Sequence, residues 1–268
     1  MRNVMFLLVS LVIAAVIATP ACAVEVTIIG PAQVQDAALR SDNPNVNMGN
    51  NVGDKVTRMF PDVNWYGGIG RHWVVRFDLS AIPTDATIDS ATYGIYVRRN
   101  GALTTQAVTG YQISRLQAGK SWVEGAGSWT DPANPGEVTW NSQAHGSALW
   151  ATAGATGAAD IDLATSISWD LAGGNVDPGW ITFDLKTFVQ AWASGAENNG
   201  LVHWGGAYAG YEGDSQRYNW TYDSDTNTVP DRVPYLIVNY TPIPEPSSLL
   251  ALGAFGIAGL GFMRRRRS

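Results

Sequence analysis

The sequence predicts an all-β protein in which two sheets pack face to face. Between Val24 and Tyr240, short segments alternate apolar and polar residues or are rich in β-branched and aromatic types. Gly, Pro, Asn and Asp separate these segments, and no long stretch has helical periodicity. Many short strands joined by loops favour a sandwich in a single domain, even at a length of about 220 residues.

The predicted strands follow one another along this region. The most regular of them has four residues on one face, because every second side chain of a strand points the same way. Those residues are Ala91, Tyr93, Ile95 and Val97. The full set of predicted strands is Val24–Ile29, Trp73–Phe77, Thr87–Arg98, Ala107–Arg115, Gly179–Asp184, Leu201–Trp204 and Tyr235–Tyr240.

One short helix is predicted at Lys186–Ser194. Phe188, Val189 and Trp192 recur there at helical spacing, and Gly195 is suited to end the helix. Other stretches are rich in small and polar residues and are predicted to be loops. These are Asn43–Asp54, Ala126–Gly136, Ala151–Gly157 and Gly205–Thr228.

The first residues have the composition of a secretory signal peptide. Arg2 supplies a positive charge, Met5–Ile17 is an apolar run, and Ala21-Cys22-Ala23 has small residues where a signal peptidase reads them. We therefore expect residues 1–23 to be removed on export. A retained membrane anchor and a lipoprotein attached through Cys22 are the alternatives.

The last residues combine a short motif, an apolar stretch and a basic tail. They are Pro244, Glu245 and Pro246, then Ser247–Met263, then Arg264, Arg265, Arg266 and Arg267. As a helix, the apolar stretch reaches about 25 Å, close to a hydrocarbon core of about 30 Å, and the arginines favour the cytoplasmic side. A plain single-span tail anchor fits these facts.

The order of these parts also resembles the PEP-CTERM sorting signal of Gram-negative bacteria. That resemblance implies processing by an exosortase, a membrane protease that acts near the Pro-Glu-Pro motif. The apolar helix at 247–263 would then anchor the protein to the membrane only transiently. The protein would reach the cell surface or the extracellular matrix after processing.

Charge and cysteine content agree with an exported domain. The full chain has 17 basic and 23 acidic residues. Without residues 1–23 and 242–268 the net charge is about −10, which disfavours nucleic acid and anionic lipid as partners. Cys22 is the only cysteine, so the mature domain has no disulfide and relies on core burial or bound ions for its stability.

Several short motifs of the exported region resemble the DNRLRE domain. They occur in the same order as in that family and cover nearly all of the region. The motifs are Arg76-Phe77-Asp78-Leu79-Ser80, Ile82-Pro83, Ile88–Thr92, Trp122-Val123-Glu124, Val138–Asn141, Phe183–Leu185, Val189–Trp192, Asn199-Gly200-Leu201 and Val233–Tyr240. Two features depart from the pattern: Tyr93 replaces a usual leucine, and Ala144–Pro178 is a long insert rich in Ala, Gly and Thr.

The resemblance implies a jelly-roll β-sandwich of the kind that serves as a carbohydrate-binding module. Because a fold alone does not fix a function, a binding site has to be found in the residues. All 11 tryptophans lie in the exported region. Four of them sit inside strand or helix patterns and are expected in the core: Trp73, Trp122, Trp140 and Trp192.

Other aromatic residues lie in glycine-rich or polar stretches that are unsuited to burying them. Flat aromatic faces pack against the apolar side of a sugar ring, so a carbohydrate platform is one interpretation and loop packing is the other. The candidate residues are Trp65, Tyr66, Trp204, Tyr208, Tyr211, Tyr218 and Trp220.

Calcium is the candidate cofactor. Asp223, Asp225 and Asn227 have the spacing of oxygen ligands in the first half of a calcium loop. Thr228 and Pro234 stand where an EF-hand needs Gly and an acidic residue, so an EF-hand is excluded. Asx turns without an ion are the alternative.

The sequence favours a non-catalytic protein. His72, His145 and His203 are far apart and lack the spacing of metal ligands. Glu124 and Glu137 could be imagined as a glycosidase pair, but any such pair in a chain of 268 residues is a weak signal. We therefore expect an exported, exosortase-sorted surface protein that binds a polysaccharide or exopolymer. A purely structural or adhesive matrix protein is the alternative, followed by a polysaccharide-degrading enzyme.

Overall fold

The computed structural model describes residues 22–50, 56–59, 70–100, 108–128, 130–171, 179–208, 219–223 and 232–243. These parts of the chain form strands with one short α-helix, so the all-β prediction is confirmed. The strands are β1 Val24–Ile29, β2 Val34–Arg40, β3 Val56–Met59, β4 Arg71–Phe77, β5 Thr87–Asn100, β6 Val108–Leu116, β7 Ser142–Ala144, β8 Ala148–Leu149, β9 Ile161–Leu171, β10 Gly179–Asp184, β11 Leu201–Tyr208, β12 Asn219–Asp223 and β13 Tyr235–Thr241. The helix, α1, is Lys186–Ala193.

The strands form two antiparallel sheets and a small hairpin. Sheet A has the order β1-β13-β5-β12-β3, and β10 also pairs with the long strand β5. Sheet B has the order β2-β4-β11-β6-β9. The hairpin consists of β7 and β8. Strands that are distant in the sequence therefore lie side by side, and long-range pairing determines what each face presents.

The main core lies between the two sheets and is closed at one end by α1. Sheet A contributes Tyr93 and Leu236, sheet B contributes Trp73 and Tyr111, and the helix contributes Phe188; all five side chains are buried. Tyr93 lies edge-on to Phe77, with ring centroids 5.4 Å apart, an arrangement that aromatic pairs prefer. Burial of this much aromatic surface stabilises the disulfide-free domain.

A second core lies on the opposite face of sheet B, under the segment between β6 and β9. Trp122, Val138 and Trp150 of this segment pack on Val74 and Val202 of the sheet. Sheet B is thus covered on both faces, by sheet A and by this covering segment, which spans residues 117–160.

One buried asparagine fastens the covering segment to the rest of the domain. Asn47 Nδ2 donates to the carbonyl oxygens of Glu124 and Val138, at 2.6 and 3.0 Å, and its Oδ1 accepts from the amides of Gly49 and Gly127. All of its hydrogen-bonding capacity is used, as burial of an amide requires.

The predicted strands and the helix are confirmed within two residues at the starts and four at the ends. One prediction was wrong, and β9 lies where no strand was predicted. The stretch 205–228 is not all loop, because Gly205–Tyr208 continues β11 and Asn219–Asp223 forms β12. The insert 144–178 contains β9, which completes sheet B. Both segments carry polar and small residues that weaken the alternation, and their pairing with distant strands decides their conformation.

The expected core tryptophans lie largely as predicted. Trp73, Trp122 and Trp192 are buried, and Trp140 is half-buried against the second core. No helix within the described residues is long and apolar enough to cross a membrane. The expected apolar helix 247–263 and most of the expected signal peptide lie outside the described residues.

Candidate functional site: an aromatic surface on sheet A

The outer face of sheet A faces solvent. Along β13 the side chains alternate between half-buried and buried, because every second one points into the core. The outward set of β5 and β10 includes Thr92, Tyr96, Trp180 and Thr182, which are exposed or half-buried. This face is available to a ligand, whereas the corresponding face of sheet B is occupied by the covering segment.

Three aromatic side chains from three strands meet on this face. The Trp180 ring lies 5.5 Å from the Tyr96 ring and 4.9 Å from the Tyr235 ring, centroid to centroid, and meets both edge to face. Trp180 is 41% exposed, the largest aromatic side chain among the exposed hydrophobic residues of the described parts. The two tyrosines therefore hold the indole in place while leaving much of it open to solvent.

A glycine makes this arrangement possible. Gly94 lies opposite Tyr235 in the pairing of β5 with β13 and opposite Thr182 in the pairing of β5 with β10. A Cβ atom at Gly94 would lie 2.3 Å from the Tyr235 ring, far inside van der Waals contact. The absence of a side chain lets the Tyr235 ring lie across β5 toward Trp180. We call Tyr96, Trp180 and Tyr235 the aromatic surface.

Polar groups border the aromatic surface. The Arg232 guanidinium lies 4.9 Å from the centre of the Tyr96 ring, a cation–π contact that holds a positive charge at its edge. Thr92 and Thr182 are exposed on the same face and carry hydroxyl groups. An apolar plate beside hydroxyl and guanidinium donors is the chemistry that suits a sugar ring, which has an apolar face and a rim of hydroxyls.

The start of β1 and the end of β13 lie side by side at one end of the sandwich. β1 pairs with β13 so that Val24 lies opposite Tyr240. The last residue of β13 is Thr241.

Residues 242–267, which follow directly, match the PEP-CTERM protein-sorting motif. The chain is thus exported across the inner membrane to the cell surface or extracellular space, and exosortase, a membrane protein, processes it.

The sorting motif confirms the predicted address. It includes Pro244, Glu245, Pro246 and the four arginines Arg264, Arg265, Arg266 and Arg267. These seven residues lie outside the described residues. No curated protein matches the chain.

The aromatic residues predicted from the sequence are not gathered in one place within the described parts. Trp204 is half-buried on the outer side of sheet B, where its indole N–H donates to Ser114 Oγ at 2.8 Å. Tyr208 ends β11 in sheet B, whereas Trp220 belongs to β12 in sheet A. The other four, Trp65, Tyr66, Tyr211 and Tyr218, lie outside the described residues.

The calcium candidates are only partly described. Asp223 is the last residue of β12 and pairs with Val56 of β3. Asp225 and Asn227 lie outside the described residues. In the described parts, no three His, Cys, Asp or Glu side chains cluster in a way that could hold a metal ion.

Two of the three histidines are buried on opposite faces of sheet B. His203 lies in the main core, where its Nε2 is 3.0 Å from the Tyr93 hydroxyl, and its desolvation lowers the pKa to about 3. His72 lies on the other side, where its ring Nδ1 bonds the Gly154 carbonyl oxygen at 2.6 Å. Neither ring is accessible to a substrate, so both serve the packing of the sheets.

Several of the short motifs singled out in the sequence converge around one tryptophan. Trp122 donates its indole N–H to the Asn199 carbonyl at 2.8 Å, and the Arg76 guanidinium lies 5.2 Å from the centre of the Trp122 ring. Burial lowers the pKa of Arg76, and Glu124 partly opposes this shift. These contacts fix the covering segment against the end of sheet B.

A polar cavity of about 360 Å³ lies beside this cluster, at the start of β2 and the end of β4. Arg76 donates to Gln35 there, Asp78 accepts from the Ser80 amide, and Asn198 donates to the Phe77 carbonyl. Since each of these groups already bonds within the protein, the cavity's polar lining stabilises the turn that leaves β4.

The aromatic surface was missed at the level of the sequence. Tyr96 belongs to the predicted strand whose inward face is Tyr93, Ile95 and Val97, so its outward direction was readable. Trp180 is the second residue of the predicted strand Gly179–Asp184, and nothing in the sequence says that this strand pairs with β5. The meeting of the rings follows from the order of strands.

Proposed function

We propose that the exported domain binds polysaccharide through the aromatic surface on sheet A, without catalysing a reaction. Exosortase sorting delivers it to the outside of the cell, where the ligand is the cell's own exopolymer or an external glycan. The proposal rests mainly on Trp180, whose indole is 41% exposed and lies against the rings of two tyrosines.

The geometry favours a flat ligand with an apolar face. Trp180 and its two tyrosines are fixed by strand pairing and by each other, so binding costs little side-chain entropy. Among the described residues the aromatic surface is open to solvent, which suits contact with the side of a polymer chain. Jelly-roll topology and kinship with DNRLRE carbohydrate-binding modules belong to the same proposal, supported by the antiparallel two-sheet order and by the packing of the shared motifs around Trp122.

Changing Trp180→Ala is expected to weaken polysaccharide binding at least about tenfold, which corresponds to about 1.4 kcal/mol. The indole is the most exposed of the three rings, so its loss removes the main stacking contact, whereas Trp180→Phe should retain part of it. Affinity electrophoresis of residues 24–241 in gels containing xylan, dextran, alginate or the cell's own exopolymer measures the effect. Pull-down on cellulose and chitin measures the same effect on binding to insoluble polymers.

The matched control is Leu149→Ala on β8. Leu149 is 70% exposed and lies on the covering segment, away from the aromatic surface. Leu149→Ala should therefore leave polysaccharide binding unchanged. Binding by the wild-type domain that survives Trp180→Ala in a folded protein would contradict the proposed surface. No binding to any polymer by the wild type would favour a structural or adhesive matrix protein.

Calcium enters the proposal as a stabilising ion near the end of β12, through Asp223, Asp225 and Asn227. Its support is the oxygen-rich spacing of these residues. The binding assay is therefore repeated with calcium and with chelator. At a calcium concentration of about 100 Kd, a native-state site adds about 2.7 kcal/mol of stability, so the melting temperature reports the ion independently of the polysaccharide.

A further inference from the structure

We infer that the end of the sandwich around Thr241 is the surface that faces exosortase during processing, and that processing takes place on the folded domain. The inference concerns the sorting step and holds whether or not the aromatic surface binds polysaccharide. Its starting point is the junction between β13 and the sorting motif. Thr241 is the last residue of the strand, and the matched motif begins at residue 242.

The junction leaves very little free chain. From Thr241 to Pro244 an extended chain spans at most about 10 Å. A protein that holds the Pro-Glu-Pro motif must therefore come close to the end of the folded strand. A longer reach requires residues of β13 to leave sheet A.

Those residues are held in place by side-chain contacts. Tyr240 is 6% exposed, and its hydroxyl donates to the Ala81 carbonyl at 3.4 Å. Thr241 Oγ1 donates to Asp89 Oδ2 at 2.9 Å, and Asn239 Nδ2 donates to Ser90 Oγ at 3.2 Å. Pairing with β1 on one side and β5 on the other adds main-chain bonds. Fraying β13 breaks these contacts together, so the folded strand is the form presented.

The surface around this junction is built from three neighbouring pieces. The loop between β4 and β5, residues 78–86, contacts Tyr240. The end of α1 contacts the same loop, because the Asp85 amide donates to the Ala193 carbonyl at 2.7 Å. The start of β1 lies beside the end of β13. We call the exposed residues of these pieces, together with residues 87–90 at the start of β5 and residues 184–187 and 194–197, the exit pole.

The charge of the exit pole argues for a protein contact rather than a lipid contact. Its exposed acidic residues outnumber its exposed lysine six to one among the described residues. They are Glu25, Asp78, Asp85, Asp89, Asp184 and Glu197, against Lys186. Because an acidic surface is repelled by anionic headgroups, the exit pole does not settle on the bilayer by itself. The partner held close to it by the junction is exosortase.

The aromatic surface stays clear of this contact. Tyr235 lies at the opposite end of β13 from Thr241, about 20 Å away at the rise of an antiparallel strand. A domain held at its exit pole keeps Trp180 open toward the outside.

Photo-crosslinking in exosortase-containing cells tests the inference on the full chain. The photoreactive residue p-benzoylphenylalanine is placed at Ser80 or Lys186 of the exit pole, at Leu149 as a distant exposed control, and at Ile243 as a control within the motif. We expect exosortase adducts from Ser80 and Lys186 at about fivefold or more the yield from Leu149, given the high effective concentration that a short tether imposes. Ile243 should crosslink as well.

A second variant separates the exit pole from the motif. A ten-residue Gly-Ser spacer after Thr241 adds a mean reach of about 17 Å. It should lower the Ser80 and Lys186 adducts about threefold or more, by dilution of the tethered contact, while Ile243 adducts and processing persist. Equal yields from Leu149 and the pole, lipid adducts in place of exosortase adducts, adducts from Ile243 alone, or pole adducts unchanged by the spacer would each overturn the inference.

Discussion

Acidification from pH 6 to pH 4.5 is expected to lower the free energy of unfolding of the domain by about 1 kcal/mol for each pH unit, because of His203. This side chain is fully buried, and burial lowers its pKa from 6.5 to about 3. In the window between these values the unfolded chain takes up a proton that the folded core does not. Stability therefore falls as the pH drops below 6.5, and above 6.5 the titration of His203 no longer changes it.

Urea unfolding at a series of pH values measures this slope. His203→Gln should flatten the slope, because the titrating group is gone. It should also lower stability at pH 7, because Tyr93 loses the imidazole that its hydroxyl bonds and its ring contacts. His145→Gln is the matched control, since His145 is half-buried on the covering segment. Because His145→Gln leaves His203 in place, it should keep the part of the slope that His203 produces. An unchanged slope in His203→Gln would show that the acid sensitivity has another origin.

Replacing Asp160 with Ala is expected to lower the free energy of unfolding by about 3–5 kcal/mol at pH 7. The Asp160 carboxylate is buried, with Lys120 Nζ at 2.9 Å and with the amides of Ala151 and Thr152 donating to it at 2.8 and 2.7 Å. Removing the carboxylate leaves the Lys120 ammonium and three amides, those of Ala151, Thr152 and Gly157, without this acceptor at the base of the covering segment. Chemical unfolding, followed by tryptophan fluorescence, measures the loss.

The neighbouring Asp162 provides the matched control. It forms a more exposed ion pair with Arg115 at 2.9 Å. Such pairs contribute about 0–1 kcal/mol, so Asp162→Ala should cost far less than Asp160→Ala. Similar losses in the two variants would contradict the role assigned to the buried carboxylate.

Acid should also remove the stability that Asp160 contributes, over a lower pH range than the one in which His203 acts. Burial raises the pKa of Asp160, but the Lys120 ammonium and the amides of Ala151 and Thr152 outweigh it and hold the pKa below 3.8. The contribution is thus complete above 3.8 and is lost as the pH falls through the folded-state pKa.

The parts of the fold that depend on local pattern were predictable from the sequence. β5 was readable because Tyr93, Ile95 and Val97 alternate with outward residues, and α1 because its buried residues recur at helical spacing. β9 and β12 were not readable. The sequence of β12, Asn219–Asp223, lacks aliphatic residues, and its place in sheet A comes from pairing with β5 and β3.

The site depends on tertiary neighbours and was therefore harder to predict. A search for aromatic residues in glycine-rich stretches selects residues that are close in sequence, such as Trp204 and Tyr208. The aromatic surface instead joins Tyr96, Trp180 and Tyr235, which come together only because β10 and β13 flank β5. The sorting address was fully readable, because a linear motif needs no neighbours.

The most direct test of polysaccharide binding by the aromatic surface is hydroxyl-radical footprinting of residues 24–241, read by mass spectrometry, with and without the polymer that binds most tightly. Bound polymer is expected to slow the oxidation of Trp180, Tyr96 and Tyr235 severalfold while leaving Leu149 and Trp140 unchanged. Protection of Leu149 or Trp140, with the three aromatic residues oxidised as fast as in the free domain, would place the ligand elsewhere and contradict the proposed function.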